Sequence, residues 1–567
     1  MKSHHKATGP TRFFLGLGAL MGGLVSHAQV PPNTGDLIRQ IPSESPVSRP
    51  EASLPAIGGV SLEPPLQQLP QGGTTAEIKR ITLVGNRKIP SEELLSRIAD
   101  ALEKHHSLAE LEALANRLTR YYRSRGYMVA RVYIPAQEIR QGELTLRVVE
   151  GNYGKFTLQN ESMVDDQVLQ DVLDHAKTDE VISLDSLERA MLIINDTPGV
   201  RVVRADIMPG AVDGTADLAV ETGPTSKLQG YVLLDNHGSP YTGKERVSFN
   251  LDVNSPTRQG DRLSFSGLGA INGHLLYGQA AYSTLLSPSG WRGELSAGQT
   301  TYALGDTYQA LDALGVAHSY GLNLTYPLRR TRAQTIEFGL NYTQRDLKDQ
   351  VRSTGSETRK SSQSFSAQLS IRDEHAWLNM DGVTQGSLRV THGSLHIRDA
   401  QSLYLDQAAG GADTEGSFTK LNAQLSRTVL LPKDFVLQAS IRHQFSRYGK
   451  NLDGSERMGI SGISGVMGYP TGEASGTDAA LAGLELTHPL PAIDGLQHQW
   501  HAFTNWGQAR TLKQSALREI SDVGLGWSAR TADGLLIKAH LAHRTSDKTI
   551  SEPDKSTRFL IQAGWVF

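Results

Sequence analysis

The sequence predicts a transmembrane β-barrel of about sixteen antiparallel strands, preceded by two small α+β units, each of order β-α-α-β-β. Three observations carry this. After Ala28 the 567 residues contain no run of eighteen apolar side chains, which excludes membrane-spanning helices. From about residue 227 onward helical periods vanish and apolar and polar residues alternate in segments about ten residues long, the signature of barrel strands. Between 76 and 223 one pattern of strand, two helices and two strands occurs twice.

Residues 1–28 read as a secretory leader. Lys2, Lys6 and Arg12 form a basic start, 13–25 is a short apolar core, and Ser26-His27-Ala28 is a small-x-small cleavage site. Residues 29–41 hold a short helix, with Asn33 and Thr34 as its cap. Residues 42–75 form a linker with Pro at 42, 46, 50, 55, 64, 65 and 70, an extended and solvated composition.

The first unit spans 76–151. A strand over 77–86 leads to helix 91–102, and Ser107 with Glu110 makes a capping box for the helix that follows. Two strands, 127–135 and 142–151, complete it. The second unit spans 152–223 and turns at Pro198-Gly199. Each sheet is expected to leave an edge strand able to pair with an extended peptide.

The barrel occupies 224–567. In 335–342, Ile336, Phe338, Leu340 and Tyr342 oppose Thr335, Glu337, Gly339 and Asn341. The pattern places one apolar face toward lipid and one polar face toward a water-filled lumen. Polar stretches at 345–357, 397–417 and 446–478 read as long outer loops. The last segment carries Phe559, Ile561, Ala563, Trp565 and Phe567 on one face, a strand through which membrane-assembly machinery would engage the chain. Loop 446–478 holds a compact apolar core, Val466-Met467-Gly468-Tyr469, amid Gly and Ser, and is expected to fold inward.

No cofactor, metal, nucleic-acid or catalytic reading emerges. There is no Cys, and the net charge is −3. No nucleophile elbow, phosphate loop or His-Glu-x-x-His run is present. His392 and His396 lie four apart on a strand, more than about 12 Å at ~3.3 Å per residue.

In 118–151 the chain carries Tyr122, Gly126-Tyr127, Pro135 with Gln137, Gly142 and Val148-Val149-Glu150-Gly151. Asn195-Asp196-Thr197-Pro198-Gly199-Val200 follows in the second unit, and 233–243 reads LLDNHGSPYTG. Together these resemble the outer-membrane transporters of two-partner secretion, whose small domains are POTRA domains. The resemblance implies a periplasmic POTRA pair that binds an exoprotein of adhesin or haemolysin type. Tyr122, Gly126, Tyr127, Pro135, Gln137 and Gly142 become candidate cargo-binding positions. It also implies a sixteen-strand barrel, a plug helix (29–41) and an inward loop whose tip reads Val-Arg-Gly-Tyr. In the family that Arg pairs with the Asp of a Phe-x-Asp-x-Gly strand. Here the tip has Met467, and the strand reads Phe503-Thr504-Asn505-Trp506-Gly507. The expected lock is therefore uncharged, with Met467 packed beside Tyr469 and Asn505 bonded to loop backbone. An outer-membrane assembly factor and a plain diffusion porin remain as alternatives.

Overall fold

The computed structural model describes residues 31–41, 55, 58–59, 75–178, 180–212, 214–377 and 380–567. The leader and most of the Pro-rich linker lie outside them.

Sixteen antiparallel strands close into a barrel, each paired with its sequence neighbour. They are β1 (Leu228–Asp235), β2 (Arg246–Asn254), β3 (Arg262–Ala270), β4 (Leu275–Leu285), β5 (Arg292–Ala303) and β6 (Ala313–Arg330). Next come β7 (Gln334–Val351), β8 (Ser356–Asp373), β9 (Gly382–Ile397), β10 (Gly416–Leu430) and β11 (Val436–Ser446). The wall finishes with β12 (Asp478–Ile493), β13 (Leu496–Arg510), β14 (Arg518–Arg530), β15 (Leu535–Arg544) and β16 (Thr557–Val566). Large apolar side chains such as Leu340, Phe365, Leu425, Ile441, Leu525 and Leu541 stand exposed on the outer face, as lipid contact requires.

The strands depart from the expected ten residues. β6, β7 and β8 run 18 residues each. The polar stretch 345–357 is consequently not a loop: β7 continues to Val351 and only 352–355 turn. Beyond the bilayer an outward position no longer needs to be apolar, so alternation fades while the hydrogen-bond ladder continues.

β1 and β16 form the seam. Tyr231 lies opposite Val566 and Asp235 opposite Gln562, and Gly230 and Phe567 exchange both backbone hydrogen bonds at 2.8 and 2.9 Å.

The first small unit stacks α2 (Ser91–Ser96) and α3 (Leu108–Ser124) on a three-stranded sheet of Arg80–Val84, Glu143–Val149 and Arg131–Tyr133. Leu111, Leu114, Leu118 and Tyr122 recur at helical spacing, and all are buried. A further two-stranded ribbon pairs Ala76–Ile78 with Lys104–His106. The second unit sets α4 (Asp166–Ala176) and α5 (Leu184–Asn195) on strands Asn152–Asn160, Thr215–Pro224 and Val200–Pro209. Its Val200–Pro209 edge is not free along its length. Gly58–Gly59 of the linker pair with it in parallel, opposite Asp206 and Ile207.

The second unit docks on the inner turns of the barrel. Arg330 grips Asp196 with two bonds of 2.8 and 2.9 Å, Arg332 reaches Glu188 at 3.1 Å, and Arg258 reaches Asp165 at 2.6 Å. Gly199, at φ +95°, lets the 195–200 turn approach Ser255, where a Cβ would stand 2.7 Å from the Ser255 Cβ.

The seam register is testable because the chain has no Cys. Tyr231 and Val566 form a pair without mutual hydrogen bonds, the kind whose Cα atoms approach within ~4.5 Å. Tyr231→Cys with Val566→Cys should form a disulfide on mild oxidation of outer membranes, seen as a gel shift reversed by reductant. A wall with another register would leave both thiols free.

Candidate functional site

Two segments of the chain enter the lumen: the loop 447–477 between β11 and β12, and α1 (Thr34–Ile38). α1 is capped reciprocally by Asn33 and Asp36. Its Thr34 amide donates to Asp349 of β7 at 2.8 Å, and its hydroxyl donates to the same carboxylate. Tyr302 of β5 donates to Asp349 at 2.6 Å. Leu37, fully buried, packs with Tyr241, Leu268, Leu275 and Tyr302. Gly35 faces the loop so closely that a Cβ would stand 2.7 Å from both Asp453 Oδ1 and the Ser455 amide. Helix and loop are thus in direct contact inside the barrel.

The loop's descending limb is acidic and meets basic wall. Asp453 accepts from Lys360 at 2.8 Å, and Glu456 pairs with Lys420 at 2.7 Å and with Arg345. Burial pushes both carboxyls up, but Lys360 for Asp453 and Lys420 with Arg345 for Glu456 outweigh it and hold both below the usual carboxylate range.

The tip is fastened by a residue the sequence reasoning did not single out. Asp522 of β14 accepts the Gly468 amide at 2.7 Å. Asn505 of β13 lies directly opposite Asp522 in register, and its side-chain amide donates to Asp522 at 2.9 Å. This corrects the expectation of an uncharged lock. The wall does present a carboxylate to the loop tip, one strand beyond the motif strand, and Asn505 orients that carboxylate instead of bonding loop backbone. Gly468 has no room for a side chain, since a Cβ would stand 3.0 Å from the Asp522 Cβ and 3.2 Å from Arg544 backbone.

Met467 and Tyr469 also separate. Met467 packs with Phe503, Ala542 and Leu560. Phe503 lies across β14, an arrangement that needs Gly524, whose Cβ would stand 2.2 Å from the Phe503 ring. Tyr469 packs with Ile460, Val466, Leu481 and Ile520, and its hydroxyl meets Ser546 at 3.0 Å and the Asp547 carbonyl. Gly507 lies under Ile460, which would stand 3.2 Å from an added Cβ. Beyond the tip, Glu473 accepts the Ile550 and Ser551 amides at 2.7 and 3.0 Å and pairs with Arg518.

Of the six candidate cargo positions of the first unit only Tyr122 is buried; Gly126, Tyr127, Pro135 and Gly142 are half-buried and Gln137 is exposed. Tyr122 is fully buried and donates to Glu150 at 3.0 Å, so no peptide can reach it. Tyr127 packs edge-on against it at 5.9 Å. Gly126 (φ +89°) ends α3, and its carbonyl accepts from Leu184 of the second unit at 2.8 Å. Gly142 (φ +78°) accepts from the amides of Lys79 and Arg80. Gln137 bonds both backbone groups of Thr145 at 2.7 and 2.8 Å and lies 3.4 Å from the Pro135 carbonyl. These residues build the 118–151 segment and its junction with the next unit. Among the described residues no group of three or more His, Asp or Glu is arranged to hold a metal.

With this geometry in place, comparison with known proteins is decisive. Residues 214–529 match the family described as haemolysin secretion/activation protein ShlB/FhaC/HecB, and 76–151 match the ShlB-type POTRA domain. The chain belongs to this family. It is an outer-membrane transporter of two-partner secretion, with its POTRA domains in the periplasm. The heme/hemopexin transporter protein HuxB of Haemophilus influenzae is 27% identical over 92% of this chain and 93% of its own length. The hemolysin transporter protein ShlB of Serratia marcescens is 25% identical over 73% and 72%. The fold matches that of CdiB from Escherichia coli, with a TM-score of 0.73 at 18% identity, covering 90% of this chain and 94% of that one.

Two outcomes follow for the transporter. Asp522→Ala strips the acceptor from the Gly468 amide, a loss of roughly 1.5–3 kcal/mol of loop anchoring. Planar-bilayer recordings should show frequent high-conductance openings. Unchanged recordings would mean that the tip is held elsewhere. The second concerns pH. A carboxylate whose pKa is depressed on folding contributes stability above its unfolded value of about 4 and loses it as pH falls through the lower, folded value. The Asp453 and Glu456 contacts should therefore hold unchanged from pH 7 to about 4.5 and weaken only below the ordinary carboxylate range, so the conductance difference between the chain and its Asp453→Asn, Glu456→Gln variant should stay constant over that window.

Proposed function

We propose that the barrel conducts one large, extended exoprotein, of adhesin or haemolysin type, and that α1 and loop 447–477 are the gate. The observation that carries this reading is that, among the described residues, two segments of the chain itself enter the lumen and each meets an inward wall carboxylate: Asp349 for α1 and Asp522 at the loop tip. A filling of that kind can be withdrawn without breaking the barrel's ladder. The relatives' names, a heme/hemopexin transporter and a hemolysin transporter, support a protein cargo of this class.

The POTRA pair receives the unfolded cargo. Beside the exposed and half-buried motif positions, the Arg80–Val84 edge of the first sheet is a candidate for strand addition, whereas the Arg131–Tyr133 edge is already engaged at Val132 by the Thr119 hydroxyl. Nothing in the pathway calls for a nucleotide or a catalytic step; folding of the exoprotein outside would draw the chain through. The apolar outer face meets lipid, and the final strand with Phe567 would be the handle for the machinery that assembles the barrel.

Deletion of this chain should leave its exoprotein partner trapped in the periplasm, as read by immunoblotting of cell fractions. Normal export would refute the reading. In the complemented strain, Asp349→Ala should raise antibiotic leakage by loosening α1, with barrel assembly unchanged.

A further inference from the structure

The inward charges are unevenly spread around the barrel. On the wall of β1 and β2 they are matched, as Asp235 and Arg246 at 2.9 Å illustrate. From β7 to β11 the middle and outer lumen presents Arg345, Lys360, Arg389, Lys420 and Arg442. The carboxylate interspersed there, Asp349, is occupied by Thr34 and Tyr302. The loop covers most of these cations. Glu456 takes Arg345 and Lys420, Asp453 takes Lys360, and the Ser464 carbonyl takes Arg442. Arg389 donates to Gln368 Oε1 of the wall at 2.7 Å.

If the loop withdraws, as the transporter reading on which this rests requires, that wall is left strongly basic in a narrow lumen. Uncompensated buried charge opposes withdrawal. A passing segment that brings its own carboxylates replaces Asp453 and Glu456 charge for charge, whereas a basic segment adds repulsion. We propose that the β7–β11 arc is a contact track for an extended, carboxylate-bearing segment of the secreted chain, and that the loop's acids hold its place at rest.

The test uses the full-length chain in planar bilayers, with poly-L-glutamate and poly-L-lysine added on the POTRA side. In Asp453→Asn with Glu456→Gln the track is uncovered. Polyglutamate should then block the current at about tenfold lower concentration than polylysine, the scale expected of one or two desolvated charge pairs. Adding Lys360→Gln and Lys420→Gln should erase the difference. Equal block by the two polymers, or a polyglutamate preference that survives loss of both lysines, overturns the proposal. Should the fourfold variant fail to assemble, as judged by heat-modifiable gel mobility, Arg389→Gln in the uncovered background replaces it. That variant should narrow the preference, and an unaltered preference counts against the track. The current does not depend on the cargo's identity. Export that proceeds without this chain would sink the transporter reading while leaving the polymer result standing.

Discussion

A closed wall of sixteen strands encloses more space than its own side chains can fill, and that space is polar. The requirement to satisfy the inward charges governs much of the remaining architecture. Lys360, Lys420 and Arg345 are stable in the lumen because Asp453 and Glu456 come down to meet them. Asp349 is stable there because α1 brings an amide and a hydroxyl to it. A lumen built this way favours its closed state, yet every contact that closes it is one that another polypeptide could supply.

The close approaches depend on missing side chains. Gly468 brings the loop backbone against Asp522, Gly524 leaves room for the Phe503 ring, and Gly35 lets α1 touch the loop at Asp453. A Cβ at each would crowd its neighbour and force a local shift. The apolar residues of the tip divide between two clusters, one around Met467 and one around Tyr469, so the tip spans several strands of the wall. The polar anchor at Asp522 sits between them.

Much of this was legible in the sequence. Period-two alternation gave the barrel and its outward face, and helical spacing with a capping box gave α3. The loop's inward course rested on resemblance together with its apolar tip. Strand ends were less legible, because outward polar residues such as Asp346 and Lys348 extend β7 past the bilayer while reading as loop. Asp522 was missed for a different reason. It matters only through its register opposite Asn505, and register belongs to the paired strands and cannot be read along one of them. In the POTRA motif, burial fixes Tyr122 and positive φ fixes Gly126 and Gly142, structural demands that a motif alone does not distinguish from recognition.

The account's central claim is that the loop tip must leave the wall for cargo to pass. It can be tested by tethering the tip. Met467 packs on Phe503, so a short reducible cross-link between Met467→Cys and Phe503→Cys would fix it in place. Export of the partner exoprotein, followed by its appearance in the medium, should stop in cross-linked cells and resume when reductant is added. Undiminished export with the tip tethered would contradict the account.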